Sequence, residues 1–140
     1  MDAAPVLNGV LETGLYVDDL AKARAFYEDV MGLQAMFLSD RLAAYPVGPN
    51  SVLLLFQKGS TDQPLETPGG TIPPHGGGGK LHYAFAISAD QLDGWLAKLA
   101  DHGIAVESTV SWRKGARSIY FRDPDGHLVE LVTPGLWANY

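Results

Sequence analysis

Two segments of the chain alternate between apolar and polar or small residues, the pattern of a strand with one buried face. In residues 11–17 the larger apolar side chains share one face, and the opposite face carries Glu12 and Tyr16. In residues 81–87 His82 shares its face with the small residues Ala84 and Ala86. Because successive side chains of a strand point to opposite sides, each segment predicts a half-buried strand.

Helical spacing follows each of these strands. Apolar residues recur three and four positions apart over residues 20–31 and again over 90–101. The pair Asp18-Asp19 and the residue Asp90 are suited to cap the two helices at their N-termini. Three further strands are predicted in each half, near 34–38, 42–47 and 51–57, and near 105–110, 117–122 and 128–133.

The order of one strand, one helix and three strands therefore occurs twice, as two βαβββ modules of one domain, 1–140. Module 1 covers about residues 8–57 and module 2 about 81–134. Residues 58–80 hold several prolines and four consecutive glycines, which predicts a linker that is mobile at its glycine end. The expected fold class is α+β, with the modules forming a cupped mixed β-sheet and the helices on its convex face.

Composition narrows the possible partners. The 140 residues are 46% hydrophobic and 19% charged, which is ordinary for a folded domain. A net charge of −6 argues against a nucleic-acid or membrane partner. The chain has no cysteine, which excludes disulfides and thiolate metal sites. With no signal-peptide pattern and no apolar run of membrane-spanning length, a cytoplasmic location is expected.

Three polar residues occupy positions that the duplication relates. Glu12 overlays on His82, and Glu130, on the last strand, stands where module 1 has Leu54. If matching positions converge about a pseudo-two-fold axis, two carboxylates and one imidazole meet and predict a divalent metal site. Simpler roles are a solvated Glu12, a hydrogen-bonded core His82, and a Glu130 that is ion-paired with an arginine.

Three segments resemble the vicinal oxygen chelate superfamily, which includes glyoxalase I, extradiol dioxygenases, fosfomycin-resistance transferases, methylmalonyl-CoA epimerase and bleomycin-resistance proteins. They are residues 14–20, 25–33 and 119–131. In that superfamily the first strand of each module commonly supplies a His, Gln or Glu and the last strand a Glu. The resemblance therefore implies the same three metal ligands, and it also implies a homodimer, in which modules can pair across subunits.

Two departures from the superfamily's patterns restrict the function. Leu54 stands where glyoxalase I carries a fourth ligand, a glutamate, which argues against glyoxalase I itself. Glu12 replaces one histidine of the two-His, one-carboxylate iron site of extradiol dioxygenases. A second carboxylate makes the site harder and more anionic, which suits Mn²⁺ or Mg²⁺ and still allows Zn²⁺, Ni²⁺ or Fe²⁺.

Other residues have candidate roles around this site. Tyr120 matches a position where relatives place a site tyrosine, so it is a candidate hydrogen-bond donor or acid, with core packing as the alternative. Glu130 is also a candidate base. Tyr16 and Arg117 are candidate substrate-binding residues. His75, beside the four glycines, is either part of a lid or ordinary linker.

The leading functional hypothesis is a metal-dependent enzyme that chelates two neighbouring oxygens of a small substrate and stabilises an oxyanion. Lyase or isomerase chemistry is favoured, and dioxygenase or transferase chemistry stays open. The alternative is a non-catalytic, bleomycin-resistance-like protein that binds a small molecule. A third possibility is a module that has lost its activity and serves only dimerisation.

Overall fold

The computed structural model describes residues 3–140 and contains one four-stranded mixed sheet from each module. Module 1 comprises β1 (Glu12–Val17), α1 (Leu20–Ala25) continued by a π-helical turn (Phe26–Val30), β2 (Phe37–Leu38), β3 (Leu42–Pro46) and β4 (Val52–Gln57). The linker contains β5 (Leu65–Thr67) and β6 (Gly70–Ile72). Module 2 comprises β7 (His82–Ala86), a 3₁₀ turn (Ala89–Gln91), α2 (Leu92–Asp101), β8 (Ser108–Ser111), β9 (Arg117–Arg122) and β10 (Leu128–Val132).

The two sheets have the same topology, with strand orders β1-β4-β3-β2 and β7-β10-β9-β8. The first strand of each module runs parallel to the last, and the remaining pairs are antiparallel. The α+β class and the duplicated βαβββ order are thereby confirmed. Within residues 3–140 each module forms its own sheet, so that β1 and β7 are both edge strands with a partner on one side only.

Burial alternates along β1 as the sequence predicts. Leu15 and Val17 are buried in the core, whereas Glu12 and Gly14 are exposed. The apolar side faces the helices, because the buried residues of α1 and α2 belong to the same core cluster as Leu15. We call the opposite side of each sheet its open face, the side that carries Glu12 in module 1 and His82 in module 2.

The helix ends agree with the sequence in module 1 and differ in module 2. Asp19 caps α1, since its carboxylate accepts a hydrogen bond from the backbone N–H of Lys22 at 3.1 Å. From Phe26 the helix widens, and the N–H of Met31 donates to the carbonyl of Phe26 at 3.2 Å. The predicted cap at Asp90 is wrong: this residue lies inside the 3₁₀ turn, and in the described chain no side chain caps that turn or α2.

The linker has more structure than its composition predicts. Besides the β5–β6 hairpin, Thr61 and His75 exchange hydrogen bonds, with the N–H of His75 donating to the Thr61 carbonyl at 2.9 Å. A Cβ at Gly77 would lie 2.9 Å from the Tyr16 ring. Glycine there lets the linker lie directly against module 1.

A network of hydrogen-bonded polar groups is buried where the two modules meet. Tyr83 donates its hydroxyl hydrogen to Tyr27 at 2.6 Å, and Tyr27 donates to Asp123 at 2.7 Å. The second oxygen of Asp123 accepts the backbone N–H groups of Asp125 and His127 at 3.0 and 2.9 Å. Because buried polar groups need partners, this network fixes the β9–β10 turn of module 2 against the helix of module 1.

His127 is structural, as its position after the turn glycine suggests. Its ring is fully buried, and Nε2 donates to the carbonyl of Tyr16 at 3.0 Å while Nδ1 accepts the N–H of Leu81 at 3.0 Å. Both ring nitrogens are therefore used in joining the modules.

The tyrosines of the core make stability sensitive to alkaline pH. Burial raises the pKa of Tyr27, Tyr45 and Tyr83, and nearby carboxylates (Asp123 for Tyr27 and Tyr83, Glu28 for Tyr45) raise it further. A free tyrosine ionises near pH 10, so above about pH 10 the folded state holds more protons than the unfolded state and the free energy of unfolding falls as pH rises.

We expect tyrosinate absorbance from these residues to appear together with the loss of circular dichroism in an alkaline titration. The variant Tyr27→Phe should show a shallower dependence of stability on pH in the same range. Tyrosinate absorbance from all three residues before any loss of structure would contradict this expectation.

Within residues 3–140, no helix has the length and apolar character needed to cross a bilayer.

Candidate metal centre

The parallel pairing of β7 with β10 brings two predicted ligands together. His82 lies opposite Leu128 and Glu130 lies opposite Ala84, so both side chains project from the open face of the same sheet. His82 Nε2 is 3.3 Å from Glu130 Oε1. Glu130 is only 5% exposed, whereas the His82 side chain is half-exposed, so solvent reaches the pair from the histidine side.

The hydrogen bond on the far side of the His82 ring determines its tautomer. His82 Nδ1 is 3.0 Å from the Leu128 carbonyl, which only accepts, so Nδ1 carries the hydrogen. When the ring carries only this hydrogen, Nε2 directs a lone pair at the Glu130 carboxylate. A nitrogen lone pair and a carboxylate oxygen 3.3 Å apart repel each other unless a cation, either a proton or a metal ion, lies between them.

A divalent metal ion fits this pair. Neighbouring ligands that each lie about 2.1 Å from one cation are roughly 3.0–3.4 Å apart, and the observed separation falls in that range. A neutral imidazole whose other nitrogen donates to a carbonyl is also the usual form of a metal-ligating histidine. The donor set of His82 and Glu130 therefore suits a divalent cation.

The second oxygen of Glu130 is held by a buried hydroxyl. Ser118 donates to Glu130 Oε2 at 2.5 Å, and Trp112 donates its indole N–H to Ser118 Oγ at 2.8 Å. The sequence interpretation missed both residues. Ser118 is two positions from Tyr120 on one strand, so strand alternation was a usable signal, whereas Trp112 lies outside the strands and gave none.

Tyr120 lies beside this pair. It is directly opposite Glu130 in the β9–β10 register, and its ring centroid is 6.3 Å from that of His82. Partial burial raises the pKa of Tyr120, and the negative charge of Glu130 raises it further. The phenol therefore keeps its proton at neutral pH and is available as a hydrogen-bond donor at the open face.

Glu12 lies apart from these residues. It is exposed at the start of β1, the edge strand of the other sheet, opposite Val52. Among residues 3–140, no group of three His, Asp or Glu side chains stands close enough to hold a metal ion. One chain thus brings His82 and Glu130 together but not Glu12.

The substrate-binding candidates occupy different surroundings. Tyr16 is on the open face of module 1, stacked on Phe56 with ring centroids 5.8 Å apart, and its hydroxyl is 2.6 Å from His75 Nδ1. Arg117 is exposed at the start of β9, and its side chain lies on the same side of the strand as that of the buried Ile119. Its side is opposite to that of Ser118 and Glu130, so the structure does not bring Arg117 to the pair.

The structure also bears on the alternative that Glu130 forms an ion pair with an arginine. Arg122 bonds to Glu107 at 3.1 Å and to the Gly126 carbonyl. The partners of Glu130 are His82 and Ser118 rather than an arginine.

Comparison with known proteins agrees with the fold. The family model described as "Glyoxalase/Bleomycin resistance protein/Dioxygenase superfamily" matches residues 9–131. The metallothiol transferase FosB of Shouchella clausii is 28% identical over 133 residues, which cover 91% of this chain and 82% of that protein. FosB of Bacillus licheniformis is 31% identical over 118 residues, which cover 84% of this chain and 70% of that protein.

A solved structure shows the same fold. The lactoylglutathione lyase of Agrobacterium tumefaciens superposes with a TM-score of 0.85 at 34% identity, covering 94% of this chain and 98% of that chain. Together these relatives indicate an enzyme of the vicinal oxygen chelate type. The chain belongs to the glyoxalase/bleomycin resistance protein/dioxygenase superfamily.

Proposed function

We propose that the protein is a metal-dependent lyase or isomerase, with a divalent cation bound by His82, Glu130 and the Glu12 of a second chain. The observation that carries this proposal is the facing pair of His82 Nε2 and Glu130 Oε1 at 3.3 Å. A cytoplasmic homodimer that acts on a small, oxygen-rich molecule is the form that we expect.

The sheet edges support a dimeric site. Glu12 lies on β1 and His82 on β7, and in the described chain each of these strands has a hydrogen-bonding partner on one side only. Exposed sheet edges are usually covered in native proteins. Pairing β1 of one chain with β7 of a second would cover both edges and bring Glu12 next to His82.

Exposed apolar residues before β1 support the same arrangement. Val6, Leu7, Val10 and Leu11 are all more than half exposed, and Leu7 is 97% exposed. Exposed apolar side chains grouped in this way are typical of an interaction surface. Since this segment leads directly into β1, a chain that pairs with β1 would also cover it.

The chemistry follows from the residues around the pair. The bound cation would supply Lewis acidity for two neighbouring oxygens of the substrate. Tyr120 would donate its phenol hydrogen to the oxygen on which negative charge develops. When its bond to the cation loosens, Glu130 Oε1 would take the proton from the substrate carbon and return it to the neighbouring carbon before binding the cation again, which is an isomerisation that needs no oxidant.

Lyase or isomerase chemistry is favoured over oxygenase chemistry by the ligand set. Glu12 supplies a second carboxylate, which suits a hard cation rather than a two-histidine iron site. Leu54 lies opposite Gly14 in the β1–β4 register, and its aliphatic side chain offers no ligand. Thiol transfer stays compatible with the same residues, as the similarity to FosB suggests.

A side-by-side assay tests the proposal. The protein is loaded in turn with Mn²⁺, Ni²⁺ and Zn²⁺. Each form is incubated with three substrates in separate reactions: the hemithioacetal of methylglyoxal and glutathione, a phosphonate epoxide plus thiol, and catechol plus oxygen. Although Leu54 removes the fourth ligand of glyoxalase I, the 34% identity to the lactoylglutathione lyase of Agrobacterium tumefaciens makes the first substrate the one that we expect to be isomerised, in a chelator-sensitive reaction. Turnover of only the second or third would assign transferase or oxygenase chemistry, and no metal binding together with tight binding of a cationic aromatic drug would indicate the non-catalytic alternative.

Mixing two defective chains tests the shared site. Glu12→Ala and Glu130→Leu chains should each bind metal poorly, but a heterodimer of the two keeps one intact site and carries both defects in the other. After unfolding and refolding of an equal mixture, we expect about a quarter of the parent's metal-binding sites. Recovery of no sites, with heterodimers confirmed by mass spectrometry, would contradict a site built from two chains.

A further inference from the structure

We propose that Trp112 and Ser118 are positioning residues that make Glu130 a one-oxygen metal ligand. This inference rests on the proposed metal site. It goes beyond the ligand set because it assigns a function to two residues outside that set. The chain of contacts runs from the Trp112 indole through the Ser118 hydroxyl to the Glu130 carboxylate.

The direction of each hydrogen bond is fixed by chemistry. The indole Nε1–H only donates, so Ser118 Oγ is the acceptor in the 2.8 Å contact with Trp112. The hydroxyl hydrogen of Ser118 is then directed at Glu130 Oε2, 2.5 Å away. Both hydrogen bonds therefore run in one direction, from the Trp112 indole to the Ser118 hydroxyl and from that hydroxyl to a single oxygen of Glu130.

The two oxygens of Glu130 therefore have different surroundings. Oε2 receives the hydrogen bond of Ser118, while Oε1 faces His82 Nε2 at 3.3 Å. Glu130 and Ser118 are both almost fully buried, so water does not replace this bond easily. A carboxylate held in this way offers Oε1 alone to a cation.

One-oxygen binding has a consequence for metal choice. Ca²⁺ accepts two-oxygen carboxylate ligands and high coordination numbers, whereas smaller cations such as Mn²⁺ and Mg²⁺ favour six-coordinate sites. Holding Oε2 away from the cation keeps coordination positions free for two substrate oxygens and disfavours Ca²⁺. Without the Ser118 hydroxyl, Glu130 can turn and bind with both oxygens.

The test measures dissociation constants for Mn²⁺ and Ca²⁺ by calorimetry, without any assay of activity. Ser118→Ala should weaken Mn²⁺ binding about 10- to 100-fold, the usual cost of losing a hydrogen bond to a metal ligand. Its preference for Mn²⁺ over Ca²⁺ should fall as well. Trp112→Phe should change both constants in the same direction by less, and Ser118→Thr, which keeps the hydroxyl, should restore values close to those of the parent.

Controls separate this inference from its alternatives. Ser111→Ala, at an exposed position of the same sheet, should leave both constants unchanged. If Ser118→Ala lowers the free energy of unfolding but binds Mn²⁺ and Ca²⁺ as the parent does, the series is merely structural and the inference is overturned. A parent that binds neither cation overturns the proposed metal site and this inference with it, whereas normal binding by the parent and by Ser118→Ala overturns the inference alone.

Discussion

Replacement of Glu130 by leucine is expected to weaken Mn²⁺ binding more than about a hundredfold. This is a larger effect than the loss of a hydrogen-bond partner of a metal ligand. The reason is that the variant loses the buried carboxylate that faces His82. Leucine has a similar volume and stands between the aliphatic side chains of β10, so the fold should be retained. Calorimetric titration with Mn²⁺ measures the effect.

The matched control is Glu107→Leu, which removes an exposed carboxylate of the same module. Glu107 pairs with Arg122 at 3.1 Å, and both side chains are well exposed to solvent. Its loss should leave Mn²⁺ affinity unchanged. Equal Mn²⁺ binding by the Glu130→Leu variant and the parent would remove Glu130 from the site.

Replacement of Asp123 by alanine is expected to lower the free energy of unfolding by about 3 kcal/mol, the loss of three hydrogen bonds to a buried carboxylate at about 1 kcal/mol each. Asp123 is almost fully buried and accepts from the Tyr27 hydroxyl and from the backbone N–H groups of Asp125 and His127. Two of these bonds shape the turn of module 2 and the third ties it to Tyr27 of module 1, so we expect the whole chain to unfold more easily.

Urea unfolding at one fixed protein concentration measures this effect, because the stability of the proposed dimer would depend on concentration. Asp125→Ala is the matched control from the same turn. Its carboxylate accepts one exposed hydrogen bond, from the N–H of Asp18 at 2.8 Å, and its loss should cost about 1 kcal/mol or less. A loss of less than about 1 kcal/mol for Asp123→Ala would show that the network contributes little.

The fold could be predicted from the sequence because its signals are local and occur twice. Alternation in residues 11–17 placed Glu12 and Leu15 on opposite faces of one strand, as the structure confirms. Two features were not predicted, namely the packing of the linker, which depends on long-range contacts, and the start of α2. The linker lies against the Tyr16 ring, and Asp90 falls in a 3₁₀ turn rather than at a cap.

The site could be predicted in part. Strand parity and duplication were sufficient to select His82 and Glu130, because parallel pairing in register brings them to one face. Alternation along β9 places Ser118 on the side of Tyr120, but only the structure shows its hydrogen bond to Glu130, and Trp112 lies outside the strands, where no pattern could select it. Whether Glu12 joins them depends on a second chain, which residue spacing within one chain does not determine.

The central claim is that two chains share one cation, and a crystal grown with Mn²⁺ tests it most directly through anomalous scattering. We expect one Mn²⁺ peak per chain, about 2.2 Å from His82 Nε2 and Glu130 Oε1 of one chain and from a Glu12 carboxylate oxygen of the other. A peak elsewhere, or a peak with the nearest Glu12 oxygen more than about 4 Å away, would contradict the claim.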